Sequence, residues 1–164
     1  MRPSACHVFA AIILAFSTAP GFAEQASVGV AGAVNPRAVG QAPTGPVEQL
    51  VIGHNVVRNE KISTFNKGKV QLIFADQSTL TLGENSEIVI DEFVYDPQKQ
   101  AGTMTATMTT GVLRYVGGKI SKKNDVSFLT PSGAVTVRGG IALIKVAPKP
   151  GTAAASAAPA PDKR

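Results

Sequence analysis

The chain has 164 residues, of which 44% are apolar, 16% charged and 5% aromatic, with no Trp and a net charge of +5. That length allows one domain with tails. The composition, with sixteen Gly and eleven Pro, excludes a coiled coil and a large two-domain enzyme and fits a small β-rich unit.

Arg2 precedes an unbroken apolar run, Val8 to Phe16, and then the small-x-Ala pattern Gly21-Phe22-Ala23. This order predicts a secretory signal peptide over residues 1–23. As a helix the run covers roughly 14 Å, about half the hydrocarbon thickness, too short for a retained anchor. Cys6 lies before the run, whereas a lipoprotein Cys would follow it. The mature chain then has no Cys, so no disulfide, and its charge falls to +4, fifteen Lys and Arg against eleven Asp and Glu. The expected location is the periplasm, with no membrane span in the mature chain.

Residues 24–46 hold four Gly, three Pro and no aromatic residue. They read as a flexible linker, with nothing bulky enough for a core. Residues 148–164 read as a disordered Pro/Ala-rich tail, whose side chains bury too little to offset backbone ordering. Residues 47–147 are left to fold.

Within them the apolar period is two. Val70, Leu72 and Phe74 alternate with Lys69, Gln71 and Ile73. Leu80 and Leu82, Ile88 and Ile90, Met104 to Met108, Val126 and Phe128, and Val135 and Val137 continue the pattern. Turn signals separate the runs: Asp76 to Ser78, Gly83 to Ser86, Asp96-Pro97, Gly117-Gly118, Pro131 to Gly133 and Gly139-Gly140. The Thr, Val and Ile content agrees with half-buried strands. No ten-residue window shows a helical stripe. The predicted fold is all-β, a single small domain of short strands. Leu72, Leu80 and Ile88 are eight apart, as are Phe74, Leu82 and Ile90. Equal steps suit a twisted β-solenoid-like stack or a sandwich, and both stay open.

Two stretches resemble the FecR domain family. Ala75 to Pro97 follows a pattern Asp-Gly-Ser-x-Leu-x-Leu-Gly-x-x-Ser-x-Leu-x-Leu-Asp-x-Phe-x-Tyr-Asp-Pro, through Asp76, Ser78, Leu80, Leu82, Gly83, Ser86, Ile88, Ile90, Asp91, Phe93, Tyr95, Asp96 and Pro97. Gly111 to Gly140 follows Gly-x-Leu-Arg-Phe-x-x-Gly and then Thr-Pro-x-Ala-x-x-x-Val-Arg-Gly-Thr, through Leu113, Arg114, Tyr115, Gly118, Thr130, Pro131, Ala134, Val137, Arg138 and Gly139. The resemblance spans roughly Val51 to Lys145. Gln77 replaces the usual Gly, so that turn is expected not to need a positive φ. Gly140 stands where the family often has Thr. The iron-citrate regulators that name the family combine a cytoplasmic anti-sigma segment, a membrane span and this domain outside; this chain resembles the exported domain alone. The resemblance implies, in regulators, binding to an outer-membrane receptor.

The residues themselves argue against catalysis. His54, the single mature imidazole, would need a Ser and a carboxylate beside it for a hydrolase triad, and no nucleophile-elbow motif is present. It reads as a surface or turn His. One His without Cys cannot build a zinc site. Asp91, Glu92 and Asp96 lack calcium-loop spacing, and Asp96 reads as a turn cap. No cofactor is expected. Arg138, between apolar strands and a Gly pair, is expected to be a structural latch to Asp91 or Asp96, tying the two motifs together. Lys119, Lys122 and Lys123 form a basic turn with a surface-contact role as its functional reading. Too few aromatics are present for nucleic-acid stacking, so nucleic acid is not an expected partner. The expectation is an exported interaction or sensing module with an unidentified envelope protein as partner, or else a structural β-scaffold of the envelope. A homo-oligomer through an edge strand stays open.

Overall fold

Alternating residues become alternating burial, and that alternation curls one sheet around a single core. The structure is a computed structural model that describes residues 27–148 except Pro36. The signal segment, and the tail beyond Pro148, lie outside the described residues. In chain order the elements are β1 (Ser27–Asn35), β2 (Ala38–Gln41), β3 (Val47–Gln49), β4 (Asn55–Val57), β5 (Lys61–Thr64), β6 (Lys69–Phe74), β7 (Thr79–Leu82), β8 (Glu87–Asp96), β9 (Ala101–Val116), α1 (Lys119–Lys123), β10 (Val126–Thr130), β11 (Gly133–Val137) and β12 (Ile141–Val146).

The sheet is a curled half-barrel of two halves sharing β9. One half runs β4-β1-β6-β7-β9-β12. The other runs β3-β2-β5-β8-β9-β10-β11. Up to Thr110, β9 pairs with β8; from Gly111 onward it pairs with β12, and from Leu113 with β7. Gly111 sits at the change with φ +102, and a Cβ there would overlap Ser86. Only a residue without a Cβ permits both the left-handed backbone and that close approach.

All the ladders are antiparallel except β9–β10. Stacked solenoid coils need parallel neighbours, so the equal eight-residue step builds something else. Leu72 faces Leu80 across the β6–β7 hairpin, but β7 pairs with one end of β9 and β8 with the other, which carries Ile88 into the other half. All six stepped residues, Leu72, Leu80, Ile88, Phe74, Leu82 and Ile90, are buried as their spacing predicts. Phe74 of β6 stacks on Phe93 of β8 with ring centroids 5.2 Å apart, and Tyr115 meets Phe128 edge-on at 5.1 Å. The first contact joins the two halves through the core. Each such pair contributes about 1 kcal/mol beyond the area it buries.

A second regularity lies in the turns. Asn59, Lys67, Gln77 and Asn85 all have positive φ, at 60, 63, 68 and 50 degrees. Each stands three residues before a fully buried apolar residue: Ile62, Val70, Leu80 and Ile88. Four successive strands are thus entered through the same left-handed step. The expectation that Gln77 has no need of positive φ is therefore corrected. Gln77 N–H donates to the Phe74 carbonyl at 2.9 Å and Phe74 N–H to the Ser78 carbonyl at 3.0 Å. That is a three-residue hairpin loop whose last position is left-handed to match the strand twist, the reason Gly is usual there.

The linker expectation over 24–46 is corrected as well. Its residues 27–35 and 38–41 are β1 and β2. Small residues do not prevent a strand when a neighbour supplies the ladder. β1 lies along β6, with Gly29 close to the Ile73 carbonyl and Gly32 under the Ile73 side chain. Val28, Ala31 and Ala38 are buried there.

Candidate functional site

The polar residues inside this sheet are the place to look for chemistry. Asp76, in the β6–β7 turn, is fully buried and has no ion pair among the described residues. Its Oδ1 accepts from the Ser78 N–H at 3.0 Å and the Ser78 hydroxyl at 2.6 Å. Its Oδ2 accepts from the Ile120 N–H at 3.2 Å, and its carbonyl from the Lys119 N–H at 2.8 Å. Two backbone donors and a hydroxyl thus hold the carboxylate, and hydrogen bonds to a charged acceptor are the stronger kind. Gly118 lets α1 approach, because a Cβ would overlap Ser78 N and the Asp76 carboxylate.

Above this turn lies the Tyr115 hydroxyl, buried and without a hydrogen bond of ordinary geometry. Burial, with the Asp76 charge adding to it, pushes its pKa above the usual phenol value, although nearby Ser121, Ser78 and the Gly118 backbone pull the other way. A second polar knot sits at the β9 bend. Thr64 Oγ1 donates to the Gly83 carbonyl at 2.6 Å and accepts from Ser86 N–H at 2.9 Å. Ser86 Oγ accepts from Val112 N–H at 3.0 Å. Every one of these bonds fixes a turn against a strand. Among the described residues, no group of three or more His, Cys, Asp or Glu side chains is placed to hold a metal ion.

Asp76 and Ser78 thus pack against Gly118 and α1, bringing the two motif stretches together at the C-terminal end of β9. The family model described as FecR protein matches residues 60–157. The chain belongs to the FecR family. No curated protein and no solved structure matches it. FecR proteins are involved in cell-surface signalling, are associated with the envelope and act through protein partners. They are a regulatory family not known as enzymes. Among the described residues no helix is long and apolar enough to cross a membrane.

Within this FecR domain the expected latch is corrected. Arg138 is exposed, with Nε 3.9 Å from Asp125 Oδ1 and its Nη2 donating to the Lys123 carbonyl at 3.4 Å. Asp91 Oδ2 accepts instead from Thr107 Oγ1 at 2.7 Å. Asp96 Oδ1 accepts from the N–H groups of Gln98 and Lys99 at 2.9 and 3.1 Å, as an Asx cap does, and its Oδ2 lies 3.8 Å from Lys99 Nζ. The physical reason is alternation: Val137, the last residue of β11, is buried, so the next residue, Arg138, points to solvent rather than the core. The motifs are tied by Asp76, which the FecR resemblance contains but charge pairing does not single out. An Asp two residues before a Ser in a hairpin, with a Gly pair preceding a later turn, was the available signal.

The expected basic turn at Lys119, Lys122 and Lys123 is the short helix α1. Lys122 and Lys123 are exposed, Lys119 is half-buried, and Lys123 Nζ donates to the Lys99 carbonyl at 2.6 Å. Glu60 was not among the site residues expected from the sequence. It is buried, accepts from His54 Nε2 at 2.8 Å through Oε1, and accepts from Val57 N–H at 2.8 Å through Oε2. His54 is thus half of a structural pair that closes the turn before β5, in keeping with a turn residue.

Proposed function

We propose that this FecR domain is an exported, non-catalytic interaction module that works in the periplasm, in cell-surface signalling through a separate protein partner. One observation carries the reading furthest. The buried polar side chains Asp76, Ser78, Ser86, Thr64 and Glu60 are each committed to backbone or neighbouring groups of the fold. What faces outward is sheet faces and edge strands, the surfaces through which β-rich modules bind extended partners. The short apolar run at Val8 to Phe16 supports export.

Crosslinking of the full chain in living cells, followed by mass spectrometry, tests it. The expected result is one envelope protein recovered reproducibly from the periplasmic side, with a mature N-terminus near Glu24. Recovery of no reproducible partner, or a chain retained in the cytoplasm with Met1 intact, overturns it.

A further inference from the structure

The half built on β6, β7 and β12 differs from the rest of the surface in its charge. On its outer face stand Lys69, Arg114 and Lys145, all exposed, and none has an ion pair among the described residues. The ion pairs His54–Glu60, Lys61–Glu87, Lys99–Asp96 and Arg138–Asp125 lie elsewhere. Among the strand residues of this half, Lys69–Phe74, Thr79–Leu82, Gly111–Val116 and Ile141–Val146, there is no Asp or Glu.

The rim of that face is β12, which pairs with β9 and has no strand on its other side among the described residues. Gly117 N–H donates to the Gly140 carbonyl at 2.8 Å. The antiparallel alternation then turns the N–H and C=O of Ile141, Leu143 and Lys145 away from β9, toward the open side. The same residues carry the outward side chains, and Ile141 and Leu143 are 64% and 73% exposed. Proteins usually blunt an edge with charge, Pro or a bulge. Here Lys145 alone does so, beside two bare aliphatic side chains. The other free edge of comparable length, β11, presents Ala134, Val135 and Thr136, with no cation among its own residues.

We infer that β12 is the docking edge for an extended segment of a partner protein that carries apolar residues and carboxylates at every second position, so that both stand on its one outward face. The inference rests on the interaction reading above and names its surface. Backbone pairing supplies affinity along the edge, Ile141 and Leu143 take the apolar side chains, and Lys145 and the neighbouring Arg114 take the acidic ones. A second copy of this chain fits less well. Pairing β12 with β12 would extend one face bearing two sets of Lys69, Arg114 and Lys145 and no carboxylate to offset them.

The probe is a blocked peptide of about ten residues with Thr at every second position and Val or Glu at the positions between, enough to span the edge with both on one face; the controls are its counterpart with Lys in place of Glu and phosphatidylglycerol vesicles. Binding to the mature chain is followed by fluorescence anisotropy and by amide hydrogen exchange. The acidic peptide is expected to bind saturably, at least about tenfold more tightly than the basic one. It is expected to slow exchange at Ile141, Leu143 and Lys145. Leu143→Glu, an exposed position that leaves the core alone, is expected to weaken binding about tenfold or more, and Val135→Glu on β11 to leave it unchanged. Equal binding of both peptides, protection at β11 instead, no binding, or attachment to the vesicles alone overturns the inference. If the crosslinked partner is captured equally well by Leu143→Glu, the interaction reading stands and the β12 edge falls. If the wild-type chain captures none, the reading beneath it falls as well.

Discussion

β1 and β6 lie side by side and share one ladder, yet they are made of different material. β6 (KVQLIF) buries Val70, Leu72 and Phe74 and exposes alternate residues. β1 (SVGVAGAVN) buries only Val28 and Ala31, and its glycines lie against Ile73. β6 is a strand because its own side chains need a core. β1 is a strand because β6 offers hydrogen bonds, and because small residues let it come close. The FecR match covers β6 and leaves out β1. The core of the family motif is therefore built on bulky alternation, and the preceding strands complete the sheet by fit rather than by burial.

The largest test of this contrast is a pair of truncations. Leu72→Ala is expected to lower unfolding stability by about 3 kcal/mol, as buried Leu truncations do. Val28→Ala is expected to cost about 1.5 kcal/mol, from the methyl groups lost. Equal losses in urea denaturation would break the comparison. Next comes the polar tie inside the matched region. Asp76→Ala leaves Ser78 and Ile120 donors buried without their acceptor, an expected loss of about 2–3 kcal/mol. Hydrogen exchange at the Ile120 amide should rise with it.

In β1 the informative change is an addition. Gly32→Val is expected to cost about 1–2 kcal/mol by overpacking against Ile73. A neutral result in the same urea assay would mean that β1 is not held tightly against β6. Tyr115 gives a smaller, pH-dependent effect. Its pKa is raised in the folded chain, so folding holds the phenolic proton more tightly. Below about pH 10 both states are protonated and the contribution is intact; above it, ionisation favours the unfolded chain and stability falls. Tyr115→Phe should remove that alkaline loss from melting curves and raise Tm slightly at neutral pH, because it deletes an unpartnered buried hydroxyl. Smallest is Gln77→Gly, which relieves a side chain at φ 68 and should add about 0.5–1 kcal/mol, read as a rise in urea midpoint.

The strands β6 to β8 were legible because their signal is local. A buried residue at every second position, with turn residues between, forces one side of each strand inward whatever the topology. The FecR motifs were legible for the same reason: their Asp, Gly, Leu and Pro positions mark turns and inward faces. β1 and β2 were not legible, because nothing in their own side chains demands a strand. The Arg138 latch failed because pairing was inferred from charge alone, while side-chain alternation decides the direction: Val137 faces the core, so Arg138 faces solvent.

The sequence by itself determined the all-β class, the inward set Leu72, Phe74, Leu80, Leu82, Ile88 and Ile90, and the family. Those follow from side-chain period and short-range turn chemistry, which operate within a few residues. Only the tertiary structure decided that β9 pairs with β8 along one end and β7 along the other, that Asp76 ties the two motifs, and that β12 is left, among the described residues, as an open edge bordered by unpaired cations. Strand order, buried polar partners and free edges depend on residues far apart in the chain, and no local pattern specifies which distant strand a hydrogen-bonding edge will meet.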